Sequence, residues 1–169
     1  MAEHPPRGVR EFSIGISAFG RSKDWRRALS LLDKMLTAGV TPNLVSFNSA
    51  ISACAKGGQW QRALSLLGEM RAAGVKPNAF SFTSAISACE KGAQWELALS
   101  LLDEMRAAGM APNEICLNAA VNACKAAGRW EAAGALAAGA DAVGAAQWPD
   151  SLSFNAAIAS ARRSVNART

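Results

Sequence analysis

The chain has 169 residues, half of them hydrophobic, which is enough to bury a sizeable core. No apolar run approaches the roughly 20 residues that a membrane-spanning helix requires, and the first eight residues lack the hydrophobic stretch of a secretory signal. Lysine and arginine number 18 against 13 acidic residues, so the net charge is +5. This excess favours a polyanionic partner such as nucleic acid, with an ordinary basic globular protein as the alternative.

The sequence repeats itself every 35 residues. Aligned without a gap, the second and third units are identical at 25 of 35 positions. Such a period indicates an architecture in which each unit buries its apolar face against its neighbours. We therefore predict one array after a disordered tail over residues 1–8. The units cover residues 9–43, 44–78, 79–113, 114–150 (with a two-residue insertion) and 151–169 (partial).

Each unit has the pattern of a helical hairpin. In the second unit, apolar residues from Phe47 to Cys54 recur at the i, i+3, i+4, i+7 spacing of one helix face, and this spacing resumes at Trp60. Paired glycines separate the two helices, and Gly74 followed by Pro77 ends the second. The predicted fold class is all-α, a right-handed α-solenoid of tandem helix-turn-helix repeats.

Two residue types that recur with the repeat are interpreted as packing residues. No two cysteines have the two-residue spacing of a zinc or redox motif, and no histidine lies near them in the sequence. The cysteines are therefore expected to be buried apolar residues. Each repeated tryptophan opens a second helix and is predicted to pack against the partner helix. The residues are Cys54, Cys89, Cys116 and Cys124, and Trp25, Trp60, Trp95 and Trp130.

The sequence offers no candidate catalytic group. The sole histidine, His4, lies in the proline-rich start of the chain, so no base accompanies a nucleophile. Glu69 and Glu104 occupy equivalent helix positions in different repeats and do not form an acid–base pair. We therefore expect a protein that is not an enzyme and that needs neither cofactor nor metal.

The second unit carries a family resemblance. It reads Val45-Ser-Phe-Asn-Ser-Ala-Ile-Ser-Ala-Cys-Ala-Lys-Gly-Gly, then Ala63-Leu-Ser-Leu-Leu-Gly-Glu-Met, then Gly74-Val-Lys-Pro-Asn, which closely resembles the pentatricopeptide repeat consensus. The resemblance covers nearly all of Val9–Asn166. Tetratricopeptide arrays have a period of 34 and bind peptides, whereas pentatricopeptide arrays run mostly at 35 and bind single-stranded RNA, one base per repeat. The resemblance implies sequence-specific RNA binding, with a peptide-binding scaffold as the alternative.

Two polar positions of each unit have the chemistry of base recognition. The fifth position varies among amide and hydroxyl side chains while its neighbours barely change, and such groups both donate to and accept from base edges. The last position is always Asn or Asp, which is also a common helix N-cap, and both roles could coexist. The fifth residues are Ser13, Asn48, Thr83, Asn118 and Asn155, and the last are Asn43, Asn78, Asn113 and Asp150.

The family resemblance implies which base each repeat binds. In pentatricopeptide arrays the fifth and last residues of one repeat together select one base, and the second residues sandwich neighbouring bases. The four pairs here imply adenine, a pyrimidine, adenine and uracil in 5′ to 3′ order, or A-(C/U)-A-U, and Asn155 has no partner. The residues at the second position are Arg10, Val45, Phe80, Ile115 and Leu152.

The thirteenth position of most units is a cation. One cation per repeat at the end of the first helix could contact the phosphate groups of a nucleic acid. Alternatively, it could interact favourably with the dipole at a helix C-terminus. Both interpretations stay open from the sequence. The residues are Arg21, Lys56, Lys91 and Arg163, with Ala126 as the exception.

The resemblance also implies a cellular setting. Pentatricopeptide proteins act in RNA processing, stability or translation in mitochondria or chloroplasts, with protein processing factors as further partners. No membrane or small-molecule partner is expected. About eight residues precede the first unit, which is too few for a transit peptide, and four units specify too few bases for one transcript site. We therefore expect a longer parent protein or assembly with other arrays.

Overall fold

The computed structural model describes residues 8–134 and 136. Over this part of the chain every regular element is an α-helix, and each complete helix has 13 residues. A further helix starts at Trp130 and is described at residues 130–134 and 136. The complete helices are α1 (Val9–Arg21), α2 (Trp25–Thr37), α3 (Leu44–Lys56), α4 (Trp60–Ala72), α5 (Ala79–Lys91), α6 (Trp95–Ala107) and α7 (Glu114–Ala126).

The turn inside each hairpin depends on one left-handed residue. Gly58 and Gly128 have φ near 70°, and the same place in the other hairpins is taken by Lys23 (φ 62°) and Ala93 (φ 52°). The residue that follows donates its N–H back into the preceding helix, as from Gln59 to the carbonyl of Cys54 at 2.9 Å. This is the bonding of a helix C-terminal cap, and it reverses the chain within three residues.

Helices of successive repeats pack on one another. The chain forms two compact units, divided between Ala88 and Cys89 within α5. In the first unit α1 contacts both its partner α2 and the next first helix, α3, while α3 also contacts α2 and α4. In the second unit α6 contacts α7. The all-α fold class of tandem stacked hairpins expected from the sequence is confirmed.

The apolar stripes form the core. Fully buried side chains recur at matching places of the repeats, with Ile16, Ile51 and Ile86 on first helices and Met70 and Met105 on second helices. No helix in the described part of the chain combines the length and hydrophobicity needed to span a membrane.

Trp25 packs against the next repeat. A Cβ added to Gly57, in the turn after α3, would lie 2.9 Å from Cγ of the Trp25 ring. The sequence predicts that each repeated tryptophan packs within its own hairpin. The structure shows Trp25 in contact with the following hairpin, whereas Trp130 is 66% exposed and is not a core residue. The Trp25 ring therefore helps to join two hairpins.

Candidate nucleic-acid interface

A cleft of about 500 Å³ runs along α1 and the beginning of α3. Five of the residues around it are ones for which the sequence predicts contact with RNA, and they represent base reading, base stacking and phosphate binding. The residues predicted to bind RNA in the first repeat therefore lie around one cleft. Its lining comprises Val9, Arg10, Ser13, Ile14, Ser17, Arg21, Asn43 and Val45.

The last residue of each of the first three repeats caps the next first helix. The side-chain Oδ1 accepts a hydrogen bond from the backbone N–H three residues later, at 3.0 Å in all three cases. The capping interpretation of these asparagines is therefore correct. Because the cap uses the oxygen, each asparagine has its Nδ2 group left for a ligand. The capping contacts are Asn43 with Ser46, Asn78 with Ser81 and Asn113 with Cys116.

The predicted reading pair of the second repeat is in direct contact. Nδ2 of Asn48, on α3, donates to Oδ1 of Asn78 at 3.3 Å across 30 residues of sequence. Asn48 is only 9% exposed, whereas Asn78 is half-buried. The fold thus brings the fifth and last residues of one repeat together, with Asn78 the more accessible of the two.

The corresponding pair of the first repeat is joined through a third residue. Ser13 and Asn43 both bond to Ser46, whose Oγ lies 2.8 Å from Oγ of Ser13 and donates to Oδ1 of Asn43 at 3.0 Å. Ser13 is buried, and Asn43 is exposed. A serine at the third position of the next repeat therefore connects the two predicted reading residues.

Large apolar side chains stand exposed at the second position of successive first helices. Val45 and Phe80 are each 53% exposed and Ile115 is 63% exposed. Burial of apolar surface is the main favourable contribution to folding, so the same exposed position in three repeats points to a ligand rather than to the core. Arg10 holds this position in the first repeat and is also exposed.

The remaining predicted reading residues are less enclosed. Thr83 is half-buried and its hydroxyl donates to the carbonyl of Ala79 at 2.7 Å, while Asn118 is exposed on α7. Four predicted site residues lie outside the described residues: Asp150, Leu152, Asn155 and Arg163.

The cations of the thirteenth position are exposed at the ends of the first helices. Nζ of Lys56 donates to the carbonyl of Gly20 at 3.1 Å, in the last turn of α1. This contact supports the helix-dipole interpretation, with the dipole belonging to the preceding repeat. A lysine has three N–H donors, so Lys56 can still reach a phosphate. Arg21 lines the cleft, and Lys91 is exposed at the end of α5.

All four cysteines are free and buried, as the sequence predicts. Burial raises the pKa of Cys54, Cys89 and Cys124 to about 11 from 9.0. Arg62 opposes this shift at Cys54, but less strongly than burial. Because the thiolate is the reactive form, these thiols are poor nucleophiles at neutral pH.

Folding stability should fall in alkaline solution because of these thiols. Their pKa is higher in the folded chain, so their contribution is complete below pH 9 and is lost as the pH rises through 11. Urea unfolding between pH 8 and pH 11 should show the decline. A variant with Cys54, Cys89 and Cys124 all changed to Ala should show a smaller decline. An equal decline in both proteins would assign it to other groups.

Comparison with known proteins places the hairpin repeats in a family. The PPR repeat family profile matches residues 12–56 and 42–91, and the PPR repeat profile matches residues 80–110. Together they cover more than half of the chain. The fold and these matches define a tandem helical-hairpin repeat protein. The chain belongs to the pentatricopeptide repeat family. No curated protein sequence matches it significantly.

Solved structures show the same fold. The pentatricopeptide repeat protein PPR10 from maize is 30% identical with a TM-score of 0.73, over 92% of this chain and 23% of that one. PPR10 in complex with an 18-nt psaJ RNA element is 29% identical with a TM-score of 0.72, over 83% and 21%. This chain thus spans about a fifth of the length of PPR10.

A third structure supports the fold alone. The PPR domain of Arabidopsis thaliana protein-only RNase P 1, in complex with tRNA, is 20% identical with a TM-score of 0.66. The match covers 74% of this chain and 66% of that one.

Two residues of the site were not predicted from the sequence. Ser46 and Ser81 stand three residues after a capping asparagine, and each bonds to the reading pair of the preceding repeat. The recurring Asn-x-x-Ser pattern was the available signal, since a polar third residue often completes an N-terminal cap. The pattern indicates the cap but not the contact with the other helix.

Proposed function

We propose that this chain binds single-stranded RNA with its first helices, one base per repeat. The observation that carries the proposal is the contact between Asn48 and Asn78, which joins the fifth and last residues of one repeat. The second residue of the same repeat, Val45, is an exposed apolar side chain. Amide groups can bond to a base edge, and an apolar side chain can cover a base face. The likeness to PPR10, whose structure holds an RNA element, supports the same ligand.

The proposed base order is A-(C/U)-A-U. The family's position rule pairs the fifth and last residues of each repeat, and it gives adenine for the first and third pairs, a pyrimidine for the second and uracil for the fourth. The cleft of the first repeat offers room for a base, and Arg10 at its side can stack through the guanidinium plane. The pairs are Ser13 with Asn43, Asn48 with Asn78, Thr83 with Asn113 and Asn118 with Asp150.

We place the function in mitochondrial or chloroplast RNA processing, stability or translation, with protein processing factors as further partners. Membership of the family supports this setting. The role proposed for the chain is binding and not catalysis, and it requires no cofactor. In the described residues no three His, Cys, Asp or Glu side chains cluster as a metal site.

Selection from a random single-stranded RNA library tests the proposal. We expect the purified chain to enrich A-(C/U)-A-U. Enrichment of a different motif would contradict the base assignment while supporting RNA binding. Failure to retain any RNA, together with retention of peptides from a matched peptide library, would instead support the peptide-scaffold function.

The cations at the ends of the first helices should govern the salt dependence of RNA binding. Each phosphate contact on a single strand contributes about 0.7 to the slope of log K against log salt concentration. Replacing Lys56 and Lys91 by Ala should therefore lower that slope by about 1.4, measured by fluorescence anisotropy. Lys34→Ala, on the second helix α2, is the control and should leave it unchanged. An unchanged slope in the double variant would leave these lysines only their role at helix ends.

A further inference from the structure

Ser81 is fully buried and joins two amide groups of the preceding repeat. Its Oγ accepts a hydrogen bond from the backbone N–H of Asn78 at 3.1 Å and donates to Oδ1 of Asn48 at 2.6 Å. Oδ1 of Asn78 also lies within reach, at 3.0 Å. A hydroxyl has one proton, and the shorter contact assigns it to Asn48.

A backbone N–H, which can only donate, fixes the orientation of the Asn78 amide, and Asn78 in turn fixes that of Asn48. The backbone N–H of Ser81 requires an acceptor, so Oδ1 and not Nδ2 of Asn78 faces it at 3.0 Å. The Ser81 proton also requires an acceptor, so Oδ1 of Asn48 faces the hydroxyl. Nδ2 of Asn48 then points at Oδ1 of Asn78, at 3.3 Å. Rotating the Asn78 amide by 180° would set its Nδ2 against the N–H of Ser81, two donors, and rotating the Asn48 amide would set its Oδ1 against Oδ1 of Asn78, two acceptors. Either change leaves buried polar groups unsatisfied.

We propose that Ser81 is a positioning residue for base selection in the second repeat. It holds both amide oxygens inward, so that the remaining groups offered to a base are the N–H donors of Asn48 and Asn78. Both groups donate, so they match acceptors on the base, and the two pyrimidines share such an acceptor at O2. The inference rests on the proposed RNA binding and adds a residue that itself lies away from the base.

Other repeats of the chain show that the asparagine can cap the helix without a hydroxyl group at the position of Ser81. Ser46 holds the same position in the second repeat and joins Ser13 to Asn43. Cys116 holds it in the fourth repeat, where Asn113 still caps α7 at 3.0 Å and the thiol lies 3.9 Å from Sδ of Met105. A hydroxyl is therefore not needed for the cap, and Ser81→Cys places there a residue that this chain already uses.

The test compares four RNAs that differ only at the second base of A-(C/U)-A-U. For the unmodified chain we expect a preference for pyrimidines over purines at this base. Ser81→Cys should reduce that preference by about threefold to tenfold, because one hydrogen bond is removed from the network. The preference at the first base should not change. Ser81→Thr keeps the hydroxyl and should retain both preferences.

Ser46→Cys is the matched control, because it acts on the pair of the first repeat. It should reduce the preference at the first base and leave the second unchanged. Ser81→Ala is measured alongside, since it needs no room for a sulfur atom in the buried site. General loosening of the fold would lower both preferences together, and this outcome would contradict the proposal.

The failures of the two proposals are distinguishable. If the Ser81→Cys and Ser81→Ala variants bind RNA with the second-base preference intact, the role of Ser81 is overturned and RNA binding stands. If the unmodified chain binds no RNA, both proposals are overturned.

Discussion

Replacing Phe80 by Ala should weaken RNA binding by about 1–3 kcal/mol, which is on the order of tenfold or more. The proposed site places this ring against the face of a base, and a methyl group cannot replace that contact. Folding stability should change little, because the ring is 53% exposed in the absence of RNA. Fluorescence anisotropy with a labelled RNA containing A-C-A-U measures the affinity, and thermal unfolding measures the stability.

Leu36→Ala is the matched control for this experiment. Leu36 is 51% exposed, nearly the same as Phe80, but it lies on the second helix α2. Its removal takes away a similar exposed apolar surface and should leave RNA affinity unchanged. Equal loss of affinity in both variants would contradict the assignment of the second position to base stacking.

Replacing Gly57 by Ala should destabilise the first compact unit by about 1–3 kcal/mol, as expected when an atom is forced into an occupied space. The backbone of Gly57 is not the reason, since its φ of −83° suits any residue. The reason is Trp25, whose ring occupies the place that a Cβ would take. Urea unfolding measures the change.

Gly68→Ala provides the opposite expectation within the same unit. Gly68 lies inside α4, and a Cβ there would meet no atom within 4 Å. Alanine favours a helix over glycine by about 0.5–1 kcal/mol, so this variant should be more stable. Combining Gly57→Ala with Trp25→Leu should recover part of the lost stability, because the smaller side chain leaves room for the Cβ. Additive losses in the double variant would show that the two residues are not coupled.

The sequence was sufficient to predict the elements because the repeat supplies the same evidence several times. Apolar spacing, glycine in the turns and asparagine before most first helices each recur, and the first helices of the repeats begin in the structure at Val9, Leu44, Ala79 and Glu114. The cap formed by Asn78 was likewise predictable, because it depends on residues three apart. Local interactions of this kind can be predicted from residue types and their spacing in the sequence.

Contacts between repeats were not predictable in the same way. Ser81 bonds to Asn48 over a separation of 33 residues, and Lys56 bonds to Gly20 over 36. Whether such residues meet depends on how closely successive first helices approach and on their relative rotation. The apolar pattern determines that the helices stack, but it leaves these two quantities open. The role of Ser81 therefore became visible only when α3 and α5 were seen together.

A small set of side chains is chemically acceptable where one repeat ends and the next begins. Asn43, Asn78 and Asn113 occupy the cap of the following helix, and replacing such a residue by an apolar one costs about 1 kcal/mol. Asn, Asp, Ser, Thr and Gly are the residues that suit this cap, and only the first four have a polar side chain that can also contact a base, so few residue types are available for recognition at this position. The fifth position has no cap to maintain, but Ser13 and Asn48 there are buried and hydrogen-bonded to the next repeat, so a residue introduced to change the ligand preference must keep a polar group for that contact.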